Sequence, residues 1–224
     1  MGEACEAGDL EVVASTLACA RETAEQILRQ AKVRHYPARA CLLRQGDRGS
    51  TTFLLVLGRA HALLYSLDGQ TVLIHEFGPG DLFGALGSLD PMPEAADVIA
   101  VEEIRSLLIE AGLLVAMAER HAAIGLALSR LLLKRLRATS ERMFERAALS
   151  APGRVCAELL RLARQGEGMA IRPLPVIAEL ALKVGTTRET ASRTVSGLER
   201  RGILRREGDA LVVVAPQRLE DEIL

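Results

Sequence analysis

The chain has 224 residues, of which 49% are hydrophobic and 25% charged, a balance that excludes an intrinsically disordered polymer. Twenty-eight basic residues against 29 acidic ones leave a net charge of −1, so the chain as a whole is no polycation. The longest apolar run, Ala111 to Ala118, falls far short of the ~20 residues of a membrane span.

The N-terminal segment MGEACEAGDLEVV is acidic and lacks the basic and apolar regions of a signal peptide. Cys5, Cys19, Cys41 and Cys156 lie far apart with no Cys-x-x-Cys, which argues against a disulfide scaffold or structural zinc and suits a reducing cytoplasm. Residues 10–31 read as one or two short helices. From about Val33 to Glu110, short apolar runs are punctuated by glycine: ACLLRQG, TTFLLVLG, HALLYSLDG and TVLIHEFGPG. Turn residues every 8–12 positions predict a sandwich or barrel of antiparallel strands, with Asp68-Gly69 and Pro79-Gly80-Asp81 as turns.

Ala111 to about Leu149 contains no proline and predicts one long helix. Leu126, Ser129, Leu133, Leu136, Ser140, Met143 and Ala147 recur at alternating spacings of three and four, a heptad seam for pairing with a second copy. Leu128, Leu131 and Leu132 lie off the seam and are expected to cover the strand domain. Ser150-Ala151-Pro152-Gly153 breaks the helix and marks a hinge, followed by a helix from Arg154 to Gln165. The domains expected are therefore 1–118, 119–149 for the dimerisation helix, and 150–224.

Charge changes along the chain. Residues 1–150 carry a net −3 and residues 151–217 a net +4, with six arginines and two glutamates between Arg188 and Arg206. Pro175 to Gly202 reads as helix, turn, helix. The first helix ends at Gly185, a C-terminal cap, and Thr186 is placed to cap the second, with Thr186-x-x-Glu189 forming a capping box. At 100° per residue, Ala191, Val195 and Leu198 face a core, while Arg188, Glu189, Ser192 and Arg193 share an arc of about 140°. Arginine pairs with guanine and glutamate accepts from cytosine, so this arc suits a major groove. ILRREGDALVVV follows as a hairpin wing, with Arg205 and Arg206 expected on phosphates and Thr186 and Thr187 at the helix entrance. Duller roles exist for the same residues: Glu189 as a cap, and the arginines as a solvated face.

From about residue 30 onward the chain resembles the cyclic-AMP receptor protein and FNR family of bacterial transcription regulators. The resemblance rests on Gly46, Gly58, Gly69, Gly80, Gly84 and Gly87 in the pattern QG-…-LG-…-DG-…-GPGDLFGALG, on KRLRATSE at 134–141, and on GTTRETASRTVSGLERRGIL. It implies an α+β protein with an N-terminal double-stranded β-helix (a jelly roll of the cyclic-nucleotide-binding type), a long dimerisation helix and a C-terminal winged helix-turn-helix. The implied function is sequence-specific binding of double-stranded DNA by a homodimer, at a palindromic operator with half-sites of the TGTGA or TTGA type. RNA polymerase is a partner if the protein activates.

The effector region departs from that family. The resemblance places the pocket at Gly84, Ala85, Leu86, Ala95, Ala96, Thr139 and Ser140. The carboxylate position for a ribose is Ala85, and the arginine–serine pair for a cyclic phosphate falls at Ala95 and Ala96, with Asp97 next and Arg105 the next arginine. A buried phosphate lacking its arginine is an unpaired charge, so cyclic AMP is not the expected effector. Cys5 and Cys19 cannot supply an iron–sulfur cluster. Haem would need an axial ligand from His35, His61, His75 or Cys41. An unidentified organic ligand, a cyclic-nucleotide or haem sensor with a non-standard pocket, and a nucleotide-sensing module without DNA binding remain as alternatives. No catalytic constellation can be assembled, since Gly-x-Ser-x-Gly, His-Glu-x-x-His and a phosphate-binding glycine loop are all missing.

Overall fold

The computed structural model describes residues 7–66, 70–84 and 92–223. The chain divides into two compact units, residues 1–137 and 138–224.

The first unit opens with helices α1 (Ala7–Leu17) and α2 (Arg21–Leu28). Eight strands follow: β1 (Lys32–Tyr36), β2 (Cys41–Leu43), β3 (Thr51–Leu57), β4 (Ala60–Tyr65), β5 (Thr71–Phe77), β6 (Leu82–Gly84), β7 (Asp97–Ala100) and β8 (Ile104–Glu110). They form two four-stranded antiparallel sheets, ordered β1-β8-β3-β6 and β2-β7-β4-β5. The expected Asp68-Gly69 turn lies outside the described residues, between paired strands β4 and β5.

Strand β3, TTFLLVL, shows how sequence and packing connect. Phe53 and Leu55 point into the core between the sheets, with Phe77, Phe83, Val98 and Ile104. Leu54 points the other way and is equally buried, against Val13, Ile27, Leu107 and Ile124 of a second core. Helices cover the outer face of this sheet, so the strand is apolar on both sides and shows no alternation. Strand β5 has one wetter face, and its burial alternates more.

The single helix expected over 111–149 is two helices, α3 (Ala111–Arg120) and α4 (Ala122–Ala148), bent by 118°. His121 at the break has extended backbone, φ −125° and ψ 96°. Leu114, Met117, Ile124 and Leu128 all enter the same core. An unbroken helix of that length would run about 57 Å, roughly twice a small domain, and could lay only part of its apolar face on one sheet. The break lets both segments reach it. Of the residues expected to cover the sheets, Leu128 is buried and Leu131 half-buried, but Leu132 is 46% exposed.

The second unit contains α5 (Ala151–Gln165), β9 (Ala170–Ile171), α6 (Ile177–Val184), α7 (Arg188–Arg200), β10 (Leu204–Glu207), β11 (Ala210–Val213) and α8 (Pro216–Asp221). Its core joins Val155, Leu159, Leu180, Ala191, Val195, Leu198 and Leu211. Helix α5 starts three residues before the expected Arg154, because Ser150 accepts a hydrogen bond from the Gly153 amide at 3.0 Å and Pro152 fits the first turn. Strand β9 adds a third strand to the wing, pairing Ile171 with Leu211. Helix α8 buries Leu219 completely. The contact division falls inside α4, whereas the expected segments 1–118, 119–149 and 150–224 treat that helix as a piece of its own.

Candidate nucleic-acid interface and effector region

The helix-turn-helix is built as the glycine and the cap demand. Gly185 ends α6 in the left-handed region, φ 66° and ψ 54°, where a side chain would be strained. The next amide, Thr186 N, donates back to Ala181 O at 2.9 Å. Thr186 is thereby spent on closing α6 and does not cap α7. That role belongs to Thr187, whose hydroxyl accepts from the Thr190 amide at 3.2 Å. The cap is thus displaced by one residue and the expected Thr186-x-x-Glu189 box does not form, since the residue three after Thr187 is Thr190.

Ala191, Val195 and Leu198 are buried and Arg188, Glu189, Ser192 and Arg193 exposed, as the helical period requires. Arg188 and Arg193 form no hydrogen bond or ion pair with other described residues. The Glu189 carboxyl is held below the ordinary glutamate range, chiefly by its own backbone amide, then by the Thr187 hydroxyl, with Arg188 and Arg193 adding to the effect. Glu189 therefore serves the helix end while staying exposed. In the wing, Arg205 Nε donates to Glu207 at 2.6 Å and Arg206 Nε to Glu199 at 2.6 Å. Arg172 reaches Asp209 at the wing tip at 2.8 Å.

Along α4 the seam residues Leu126, Leu133, Leu136 and Met143 are 51–69% exposed, and Ser129, Ser140 and Ala147 are exposed as well. The Ser129 hydroxyl donates to Gly125 O at 2.9 Å, so it is satisfied within its own helix. Leu132 and Phe144 flank the same seam and are exposed too. All six large apolar residues fall within an arc of about 120°, opposite Ile124, Ala127 and Leu128. Phe144 is not among the expected seam residues, although the helical period places it level with Leu126.

In the effector region, Gly84 at the end of β6 has φ +82°, and a Cβ there would sit 2.8 Å from Thr51 O. Ala85 and Leu86 lie outside the described residues. Ala95 is exposed and Ala96 packs on the core between the sheets. Asp97 accepts from the Gln45 amide at 2.7 Å. Arg105 is buried and bidentate to the fully buried Asp9 of α1, with Nη2 to Oδ2 at 2.8 Å. It anchors α1 and is spent. Thr139 and Ser140 are exposed and belong to the second unit.

A cation that sequence reasoning missed stands in the first unit. Arg135 of α4 donates to Leu82 O and lies over the Phe77 ring, 5.2 Å from its centroid. Its Nε is buried without a hydrogen-bond partner among the described residues. Burial holds this guanidinium below its ordinary value, and Asp81 opposes that shift. Phe77 stacks on Phe83, and Phe83 on Phe53, at 4.6 and 5.1 Å between ring centroids.

The haem candidates are dispersed. His61 is buried with Nε2 3.3 Å from Glu76, the His75 ring lies 4.7 Å from Phe77, and His35 is exposed on β1. The exposed Cys41 thiol donates to Leu43 O at 3.2 Å, and burial followed by Asp97 pushes its pKa up. Burial and then Glu222 push the Cys156 thiol up to about 11. Among the described residues, no three His, Cys, Asp or Glu side chains are grouped to hold a metal.

A strand roll followed by a long helix and a winged helix-turn-helix with an open polar arc defines a class of DNA-binding regulators. Residues 33–121 match the cyclic nucleotide-binding domain, and residues 153–222 the Crp-like helix-turn-helix domain. The chain is 34% identical over 192 residues to the cyclic AMP receptor protein of Thermus thermophilus, covering 85% of this chain and 87% of that one. It is 28% identical over 189 residues to the CRP-like cAMP-activated global transcriptional regulator of Mycobacterium tuberculosis, covering 82% and 84%. Its fold is that of a CooA mutant from Carboxydothermus hydrogenoformans, with TM-score 0.78 and 19% identity over 98% of this chain and 97% of that one. It is likewise that of FixK2 from Bradyrhizobium japonicum, with TM-score 0.74 and 22% identity over 87% and 98%. The chain belongs to the Crp/Fnr family and is a DNA-binding transcription regulator of that type. Among the described residues no single helix is long and apolar enough to cross a membrane.

Proposed function

We propose that the protein works in the cytoplasm as a homodimer joined along α4, reading both halves of a palindromic operator with α7 under an effector other than cyclic AMP. The observation that carries the reading is the α7 arc, where Arg188 and Arg193 stand exposed beside Glu189 and Ser192 with no hydrogen bond or ion pair among the described residues. Arg188 and Arg193 meet guanines, Glu189 a cytosine, and Arg205 and Arg206 phosphates. Two such helices in a symmetric dimer reach half-sites about one helical turn, ~34 Å, apart. The exposed seam of Leu126, Ser129, Leu133, Leu136, Ser140 and Met143 is the dimer contact, widened by Leu132 and Phe144. RNA polymerase is a further partner where the bound regulator activates. Its family is one of regulators, and no catalytic role is assigned.

Binding-site selection followed by mobility-shift titration at several salt concentrations is the test. A recovered palindrome, bound with a steep salt dependence, is expected. A selection that returns no motif would sink the reading. Sedimentation of Leu133→Asp or Leu136→Asp should show monomers, because a carboxylate in the seam would be buried unpaired.

For the effector, Ala95 and Ala96 supply no charge, and Arg105 is held by Asp9. Calorimetry with cyclic AMP is expected to show no micromolar binding. Arg135 favours a second reading, in which an anionic ligand (a cyclic nucleotide in a non-standard pocket included) takes its charge from α4. The observation favouring it is the buried Nε, which has no hydrogen-bond partner among the described residues. Mass spectrometry of the protein as purified would show such a ligand, and Arg135→Ala should lose it.

A further inference from the structure

The start of α5, the end of α6 and the end of α4 converge on one guanidinium. Arg154, in the first turn of α5, donates through Nη1 to Leu149 O at 2.9 Å, just past the end of α4. Through Nε it donates to Val184 O at 2.8 Å, and through Nη2 to Gly185 O at 3.1 Å, the last carbonyls of α6. Two helix C-termini, each the negative end of its dipole, therefore share one cation. The carbonyls are ones that no residue within their own helices can satisfy. A guanidinium spreads five N–H donors over three nitrogens of a rigid plane and so reaches acceptors that lie apart, whereas the three donors of an ammonium radiate from a single atom.

The surroundings reinforce this junction. Arg161 of α5 pairs with Glu145 of α4 and with the buried Glu158, while Lys183 Nζ of α6 lies 3.1 Å from Glu158. Arg146 of α4 lies over Gly185, with Nη2 3.4 Å from where a side-chain carbon would start. Gly185 stands three residues before Arg188, the first residue of α7. The direction in which α7 leaves the turn is thus set relative to the end of α4.

We infer that Arg154 is the positioning residue that fixes the aim of the recognition helix against the dimerisation helix, so that both halves of an operator are engaged together. It touches no base. The inference rests on the dimer reading above, and the experiment separates the two. Two DNA duplexes are needed: the palindrome recovered by selection, and the same duplex with one half scrambled. Wild-type protein should bind the palindrome about 100-fold more tightly than the single half, because the second contact is intramolecular. Arg154→Gln should keep its half-site affinity within about twofold and its dimeric sedimentation, while the palindrome advantage falls below about tenfold. Arg154→Lys keeps the charge without the fork and should lie between them.

A merely structural role would weaken both duplexes by the same factor, and that result overturns the inference. So does an unchanged ratio in Arg154→Gln. Should Arg154→Gln fail to fold, the ratio in Arg154→Lys decides in the same way. A wild type that itself shows no preference for the palindrome refutes the dimer reading, and the inference falls with it.

Discussion

The recognition helix and the wing are both basic in sequence, and they carry that charge differently. Arg188 and Arg193 on α7 point out with no partner among the described residues, whereas Arg205 and Arg206 each hold a glutamate at 2.6 Å. Base recognition needs a guanidinium whose fork is open to guanine, and an ion pair formed in advance would have to be broken first. A phosphate contact is less demanding, because a long-range, salt-dependent attraction survives partial neutralisation. Equal residue types thus suit different tasks according to what already sits beside them.

The largest effect is expected at the open end of this comparison. Arg188→Ala should cost about 1–3 kcal/mol per half-site and relax preference at a single base pair, as read by binding-site selection with the variant. An unchanged motif would show that α7 is not the reader. Thr187→Ala comes next: it removes the cap on the Thr190 amide, and about 1 kcal/mol of stability should go with it in urea melts. The motif should survive that change.

The wing should respond more weakly. Arg206→Ala should weaken all sequences alike and flatten the salt slope by less than one full unit, since Glu199 already offsets part of the charge. Glu199→Gln releases that arginine and should strengthen binding to non-specific DNA, with a steeper slope. A slope that moves in the opposite direction would refute the division of labour. The smallest effect is a pH dependence at Glu189. Its carboxyl is held below the ordinary range by its own backbone amide and then by the Thr187 hydroxyl, so its contribution to stability is full above that range and is lost as the pH falls through the lowered value. Melting curves from neutral to acidic pH should lose this component in Glu189→Gln. Selection with the same variant should lose discrimination at one C·G pair if the side chain also reads a base.

Much of this was legible before any coordinates. Helical periodicity alone placed Ala191, Val195 and Leu198 inward and Arg188 and Arg193 outward, and the α7 helix obeys it. Glycine spacing marked the strand turns because Gly46, Gly58, Gly80 and Gly84 all take φ between +82° and +87°, a requirement local to each residue. The heptad spacing likewise identified the exposed side of α4, since a helix turns the same way whatever surrounds it.

Other features depended on which surfaces meet. The bend falls at the polar triplet Glu119-Arg120-His121, which carries neither proline nor glycine, so no strong helix breaker in the sequence marks the 118° turn, and the core that both segments enter decides it. Thr186 and Thr187 are chemically alike and adjacent, and which one caps α7 is decided by how the α6 turn closes on Ala181. Arg105, Arg135 and Arg154 are three arginines that the sequence could not tell apart. Folding ties one to Asp9 96 positions away, lays one over Phe77, and sets one between Leu149, Val184 and Gly185. Periodicity and backbone preference act over a few residues and can be read in order along the chain. The partner of a charged group is chosen across the fold, where sequence distance carries no information.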